Sequence, residues 1–592
     1  MSVLNSPFFS SRPFNWRMIS EAIWRVEHGF ERARAEGRPA DDVRVRMVLI
    51  LTLFSAGFIA LSIGAAKTAL FAVDDRIPGI SGMAPGSRAD LVDRNGQLMA
   101  LDLTMYSLFV ERRHKDETLI FDTAETRRKL APFLNSVARQ RLERALASGS
   151  RTKLVGPLTA AQKTQIEDMG LPGVSFDEEP ERNYPLGQTG AHLIGFSDTG
   201  GTGIQGAEQA LDQSIKQSKG PVALAIDLRV QAALQDELEK AKAKFGAVGG
   251  AGLVVDVQTG EILGMASSPG FDPNAPGAWP DYNRKNNAAA QVYEAGSVFK
   301  IFTIATGLDS GTVTLASTFD VSHPLVIGKA KPIGDFDKGD TTLSLTQVFT
   351  HSSNIGASRI AMAVGGQRVD QYMKAFGLYN AAPSEMAEST RPLLPHREKG
   401  QLSDYTMAQM SFGQGISVTP LQIATGMSAI FNGGEYIPLT IRKRSPGEAP
   451  QTRRIVSEQT SRAMLDLMRQ NVIDPKGSGS KADVPGLSVG GKTGTAQKAK
   501  DGHYLLNTRV ASFAAIFPTT GGLKDKRYFV YVLLDEPHPA AGTFGFATAG
   551  FVAAPTAGAV INRIAPFLNV QRVAAPPPAA VAAAPSASEL QD

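Results

Sequence analysis

Residues 294–305 read Glu294-Ala295-Gly296-Ser297-Val298-Phe299-Lys300-Ile301-Phe302-Thr303-Ile304-Ala305, and this stretch decides the fold. After Ser297 the apolar residues fall on almost every side of a helix predicted over 297–308, so that helix belongs in a core. Lys300 lies one turn in, on the same face as Ser297. Burying an ammonium is costly unless it is paired or loses its proton. Burial disfavours the charged form, and a neutral amine beside a hydroxyl is a general base. At the helix start the serine's own N–H lacks a helical partner and is ready to stabilise an oxyanion. The stretch therefore predicts a serine acyltransferase, with Ser297 as nucleophile and Lys300 as base.

Taken alone, S-x-x-K is a weak signal. Ser150-Arg-Thr-Lys153 and Ser478-Gly-Ser-Lys481 match equally well, but neither opens a buried helix, and both are predicted to be solvated turns. The bland reading of Ser297 is a helix N-cap with a snorkelling lysine. Two further stretches weigh against it. His351-Ser352-Ser353-Asn354 brings a second hydroxyl and an amide ahead of a helix-like run. Gly490-Gly491-Lys492-Thr493-Gly494-Thr495-Ala496 brings a cation and two hydroxyls on a strand whose glycines allow close approach by a substrate backbone.

Outward from these motifs, residues 221–570 are expected to form one large α/β domain. Helices are predicted over Leu228–Phe245, 462–471 and 556–567. Gly252 to Met265 should be a hairpin turning at Gln258-Thr259-Gly260, with further strands at 487–497, 510–517 and 528–534. Strands at both ends, helices between them and little βαβ alternation predict an antiparallel sheet sandwiched by helices. Residues 67–220 combine β-like runs at 91–92 and 106–110, a helical run over 124–147 and the turn Asp93-Arg94-Asn95-Gly96. They are expected to form an α+β support domain.

Met47 to Ala66 carries no charge and has the ~20 residues a helix needs to cross a bilayer. Arg12, Arg17, Arg25, Arg32, Arg34, Arg38, Arg44 and Arg46 precede it, against Lys67 and Arg76 just after, beside Asp74 and Asp75. This asymmetry keeps a tail of residues 1–46 in the cytoplasm and exports everything after Lys67. A cleaved signal peptide has a shorter leader and a shorter apolar core. Trp16, Ile19, Ile23, Val26 and Phe30 recur at helical spacing, which fits a helix on the membrane surface and an unstructured tail equally. Residues 571–592 form an Ala/Pro-rich low-complexity end, expected to be disordered. A formal net charge of +4 over 592 residues makes no case for nucleic acid. The absence of cysteine excludes disulfides, thiolate metal sites and cysteine nucleophiles. No metal or cofactor is expected.

With S-x-x-K, S-x-N and K-T-G in this order, the sequence resembles the class B penicillin-binding proteins, and among them the division-type (FtsI-like) D,D-transpeptidases. Ser353 stands where the motif's aspartate is found. Other stretches carry the resemblance too: Arg88-Ala-Asp-Leu-Val-Asp-Arg-Asn-Gly96, Arg182-Asn-Tyr-Pro-Leu-Gly187, His192-Leu-Ile-Gly-Phe196 and Gly203-Ile-Gln-Gly-Ala-Glu208, then Phe412-Gly-Gln-Gly415 and Thr419-Pro-Leu-Gln422. Together they span roughly residues 88–567. Ala89, Ala295 and Gln414 depart from the usual glycine, proline and tyrosine, and none of them touches a group that does chemistry. Ser352-Ser353-Asn354 favours the division branch over the elongation branch, which often has aspartate at the third position.

The resemblance implies a penicillin-binding/serine β-lactamase-like transpeptidase domain, preceded by an elongated α+β pedestal of the dimerisation type over residues 67–220, and a set of roles. Ser297 attacks the penultimate D-Ala carbonyl of a stem peptide, and Lys300 takes its proton. Ser352 relays the proton to the leaving amine, Asn354 holds Lys300 and the substrate amide, and Lys492 adds positive potential. Thr493 and Thr495, with Gly494 between them, bind the substrate carboxylate, and the N–H groups of Ser297 and Thr495 form the oxyanion hole. A second stem peptide's amine then accepts the acyl group, and β-lactams acylate Ser297. The implied setting is septal cell-wall synthesis at the bacterial inner membrane, with one membrane pass and a periplasmic catalytic domain. The implied partners are lipid-linked precursor, an FtsW-type glycan polymerase and other divisome proteins.

Several competing readings are weaker. Gly486-Leu-Ser-Val-Gly-Gly-Lys-Thr493 fits G-x-x-x-x-G-K-[ST], but a phosphate loop needs a helix after it, and Gln497-Lys-Ala-Lys-Asp-Gly502 is too polar and glycine-broken. Gly486-Leu-Ser488-Val-Gly490 has the form of a nucleophile elbow without the following helix or an evident histidine partner. His351 is assigned a structural role. A β-lactamase or carboxypeptidase needs a water-activating group after Asn354, and none is evident. An elongation-type transpeptidase, a non-catalytic scaffold and a β-lactam-sensing receptor are the remaining alternatives.

Overall fold

The computed structural model describes residues 88–111, 122–336, 339, 341–500 and 503–573, together with His28, Ala35, Phe54, Ser55, Phe58 and Ser62. The chain divides into two compact units, Met1–Met83 and Ala84–Asp592. In the first, the expected surface helix lies outside the described residues except for His28. The expected membrane segment Met47 to Ala66 lies outside them except for helical Phe54, Ser55, Phe58 and Ser62. Among the described residues no helix is long and apolar enough to cross a membrane.

In the second unit the main sheet is assembled from two distant pieces of chain. Gly249–Asp256 (β1) and Ile262–Ser268 (β2) form the hairpin expected around Gln258-Thr259-Gly260. Gly490–Lys500 (β3), His503–Phe517 (β4) and Tyr528–Asp535 (β5) form a meander. β5 pairs with β1, so the order is β3-β4-β5-β1-β2 with every pairing antiparallel. The helices that cover this sheet or carry residues of the site include Leu228–Phe245 (α1), Lys300–Asp309 (α2), Asn354–Val364 (α3), Pro420–Phe431 (α4), Glu458–Ile473 (α5) and Ala553–Ile564 (α6).

Strand alternation splits the core into two layers. Tyr528, Val530, Val532 and Leu534 pack with Val230 and Leu234 of α1 and Val560 and Ile561 of α6. Phe529, Tyr531 and Leu533 share the opposite layer with Phe302 of α2, Ile423 of α4 and Met464 of α5. This is the sheet sandwiched by helices that the sequence predicts. α1 spans the expected residues because Asp227 accepts from the Arg229 N–H at its start and Gly246 turns left-handed at its end, with φ 57°.

Ahead of it, the long strand Leu98–Val110 pairs with Leu91–Val92, Thr152–Leu158 and Val174–Asn183. The helical run expected over 124–147 is two helices, Thr123–Leu130 and Ser136–Ser148. Pro132 lacks the N–H needed to continue the first, and Asn135 caps the second by accepting from the Ala138 N–H at 2.9 Å. Val222–Ala223, which the sequence places at the start of the larger domain, pairs in parallel with Leu91–Val92 and so continues the smaller sheet.

Three of the stretches that carry the resemblance meet here in one ionic cluster. Glu208, wholly buried, receives Arg88 Nη2 at 2.5 Å and Arg182 Nε at 2.7 Å, while Arg182 Nη1 reaches Asp102 at 3.0 Å. Glu208→Ala would leave two buried guanidiniums short of a counter-charge. We expect it to destabilise the unit by about 3–5 kcal/mol, seen as a lower denaturation midpoint at unchanged slope.

Candidate active site

The helix expected from Ser297 starts later and tighter: Gly296–Phe299 is a 3-10 turn and Lys300 opens α2. Lys300 is fully buried, among Phe299, Phe302 and Ile304 of the same apolar stretch. Its Nζ lies 2.7 Å from Ser297 Oγ, 2.7 Å from Asn354 Oδ1 and 2.9 Å from the Ser352 carbonyl. The last two atoms are pure acceptors, so they take both N–H bonds of a neutral amine. Its lone pair is then left facing the Ser297 hydroxyl. Burial, and next the charge of Lys492, push Lys300 well below the usual lysine range, while Asp335 pulls the other way.

Lys492, on β3, is also fully buried, and burial brings it down to about 7. Its Nζ donates to Ser352 Oγ at 3.0 Å, and Lys300 Nζ lies 3.3 Å from the same oxygen. Ser352 thus bridges the two amines. It occupies the sharp joint between the helix Leu345–Thr350 and α3, with φ 60°. A non-glycine residue there stores strain, which is found where a side chain must be aimed. Ser353 does not enter the cleft; its Oγ caps α3 by accepting from the Gly356 N–H at 2.9 Å.

Ser297, Ser352, Asn354, Thr493 and Thr495 all line one cleft of about 660 Å³, and His351 lines it too. Gly494 sits with its strand pressed on the turn that bears Ser297: a Cβ there would stand 2.4 Å from the Ala295 carbonyl oxygen. Its missing side chain makes room for protein rather than for substrate. On the other side, Gly413 backs directly onto Gly296. A Cβ at Gly413 would lie 2.2 Å from the Gly296 oxygen, at φ 83°. Gly413→Ala should displace the turn bearing Ser297 and slow acylation ~10²-fold, as a 1 Å misplacement does; labelling kinetics with a fluorescent penicillin would read it.

Ser478 is a correction. The loop containing it borders the cleft, and Thr493 Oγ1 donates to Ser478 Oγ at 2.7 Å. Asn471, on α5, holds Ser478 in place by accepting from its N–H at 3.2 Å. Lys481, exposed, lays its ammonium 3.7 Å over the Phe551 ring on the same rim. By contrast, Ser150 and Lys153 are solvent-exposed as expected, but Lys153 lies on the strand Thr152–Leu158 rather than in a turn, bound to Glu179. The residues after Lys492 continue as strand to Lys500, so no helix end is available to hold phosphates. Ser488 bonds Thr519 Oγ1 at 2.8 Å and faces no base.

Asp335 has no counterpart in the sequence reading. Its carboxylate accepts from Ser353 Oγ at 2.6 Å and from the Asn354 and Ile355 N–H groups at 2.5 and 3.0 Å.

Comparison with known proteins gives a consistent picture. Residues 250–562 match the family described as penicillin binding protein transpeptidase domain, and residues 83–220 match the penicillin-binding protein dimerisation domain. The chain is 50% identical over 564 residues to the probable peptidoglycan D,D-transpeptidase FtsI of Caulobacter vibrioides, covering 94% of each chain. It is 29% identical over 514 residues to the peptidoglycan D,D-transpeptidase FtsI of Escherichia coli K12, covering 82% of this chain and 84% of that one. In fold it is similar to penicillin binding protein 3 of Mycobacterium tuberculosis, solved with aztreonam. That likeness has a TM-score of 0.63 at 24% identity, over 82% of this chain and 97% of the other.

Proposed function

The chain belongs to the class B penicillin-binding proteins, and on that footing we propose that it is a peptidoglycan D,D-transpeptidase that crosslinks stem peptides in septal wall synthesis. The observation that carries this reading is the buried Lys300 amine, which lies 2.7 Å from Ser297 Oγ and has acceptors in Asn354 Oδ1 and the Ser352 carbonyl for two N–H bonds.

Ser297 Oγ attacks the carbonyl of the penultimate D-Ala, and its proton passes to Lys300 Nζ. The amides of Ser297 and Thr495 hold the oxyanion. The C–N bond breaks as Ser352, lying between Lys300 and Lys492, passes a proton to the departing D-Ala amine. The amine of a second stem peptide then attacks the Ser297 ester, and its proton returns by the same route. β3 is an edge strand, so a donor peptide can extend the sheet along it. Thr493 and Thr495 face the donor's terminal carboxylate there, and Lys492 supplies positive potential behind them.

Met47 to Ala66 anchors the chain in the bacterial inner membrane, with residues 1–46 in the cytoplasm and the catalytic domain in the periplasm. Its length, lack of charge and arginine-rich approach support this. Residues 67–220 serve as pedestal, 221–570 as transpeptidase domain and 571–592 as tail. The segment before Lys219 carries no acidic motif for glycosyl transfer, so glycan polymerisation falls to an FtsW-type membrane partner acting on lipid-linked precursor with other divisome proteins. Mass spectrometry after exposure of the full-length chain to a labelled β-lactam tests the reading. One lasting adduct, in the peptide containing Ser297, is expected. No adduct, or one elsewhere, defeats the assignment, and rapid loss of label points to a hydrolase.

A further inference from the structure

Asp335 is the carboxylate whose charge acts on Lys300 in the opposite sense to that of Lys492, and it reaches the second motif from 18 to 20 residues away in sequence. We propose that Asp335 is a positioning residue of the acylation step, holding the Ser352–Asn354 turn against Lys300 and supplying a negative charge that counters that of Lys492 at that amine. The inference rests on the transpeptidase reading of the site.

Three contacts make the case from geometry. Helix α3 begins at Asn354, and its first N–H groups have no helical partner. Asp335 Oδ1 satisfies two of them, those of Asn354 and Ile355, at 2.5 and 3.0 Å, while Oδ2 takes the Ser353 hydroxyl at 2.6 Å. A carboxylate at a helix N-terminus is stabilised by the same unpaired amides. Beside it, the Gly334 carbonyl accepts from Asn354 Nδ2 at 3.2 Å. That bond fixes which way the Asn354 amide faces, so its oxygen, not its nitrogen, meets Lys300 Nζ. The Gly334–Asp335 segment therefore determines both the place of Asn354 and its orientation. Ser353, which fills the position of the motif's aspartate, is bound to this carboxylate instead of carrying one.

The charges around Lys300 point the same way. Lys492 on β3 and Asp335 in the loop before residue 341 both act on Lys300, whose Nζ contacts the polar atoms of Ser297, Ser352 and Asn354; His351 borders the same cleft. Lys492 disfavours the charged amine and Asp335 favours it. Removing the Asp335 charge thus lets Lys300 stay neutral to lower pH, a consequence no purely structural role would have.

The test follows β-lactam acylation of the full-length chain against pH, for the unaltered protein, Asp335→Asn and Asp335→Ala. Asp335→Asn keeps the size and one acceptor, so its acid limb should move to lower pH while the plateau rate falls less than ~10-fold. Asp335→Ala removes every contact and should lower the plateau ~10²-fold. An acid limb that stays in place in Asp335→Asn overturns the proposal, and so does an unchanged plateau in folded Asp335→Ala. If Asp335→Ala does not fold, the near-isosteric Asp335→Asn decides alone. Failure of the unaltered protein to acylate at Ser297 would instead overturn the transpeptidase reading, so the two failures are distinct.

Discussion

Ser297→Ala should abolish covalent labelling by β-lactams, a fall of at least ~10⁴-fold, with the thermal melt unchanged. The side chain is half-exposed at the cleft, and alanine differs from it only by the hydroxyl. Among the described residues, the hydroxyl best placed to substitute is that of Ser352, which also lies against both amines. It is poorly equipped to do so. Its own N–H is committed to the Phe349 carbonyl at 3.2 Å, and its strained backbone follows the end of one helix rather than opening the apolar one. Intact-mass measurement after long exposure decides the matter. Residual label on Ser352 would mean that the site's selectivity does not come from the turn at Gly296.

Replacing Lys300 separates proton transfer from simple charge. Lys300→Met keeps an apolar stem of similar volume and removes the base, and acylation should fall by ~10³-fold, within the range of general-base effects. Lys300→Arg should be nearly as slow, because a guanidinium cannot lose its proton at any usable pH. A rate for the arginine variant close to that of the unaltered protein would show that the site needs only a cation there, and the base assignment would be wrong. The same logic fixes the sign of the pH profile. Lys300 must be neutral to act, so acylation declines as the pH drops through its depressed titration and not at the usual lysine value. Lys492→Gln removes a like charge and should shift that decline to higher pH, the reverse of Asp335→Asn.

The parts of the site legible in the sequence are those that look anomalous in one dimension. A lysine inside an all-apolar helix is such an anomaly, and Lys300 is buried as that pattern demands. The strands are legible for a related reason: continuous β-branched and aromatic runs bounded by turns, such as Tyr528–Asp535, have few alternatives. Asp335 leaves no such trace. An aspartate between glycine and phenylalanine in a polar loop is unremarkable until the chain folds back on α3. Ser478 is hidden because its neighbours are small and polar, a composition shared by solvated turns and by loops that border a cleft. Only tertiary contact with Thr493 tells the two apart. The break at Pro132 is readable in principle, but a helical period on both sides of it conceals the stop. Val222–Ala223 is too short to reveal which sheet it joins.

The strand order has a consequence for biosynthesis. β1 and β2 emerge early, but the neighbour of β1 is β5, and the lysine that completes the charge pattern arrives on β3 only after α5 has been made. A nascent chain released before Gly490 would already possess Ser297, Lys300 and Ser352, yet it would lack three strands of its five-stranded sheet and the wall that presses on residue 295. Pairing over so long a sequence separation is intrinsically slow. Incomplete translation products should therefore be inert toward antibiotic, and reactivity should appear all at once when the closing meander docks.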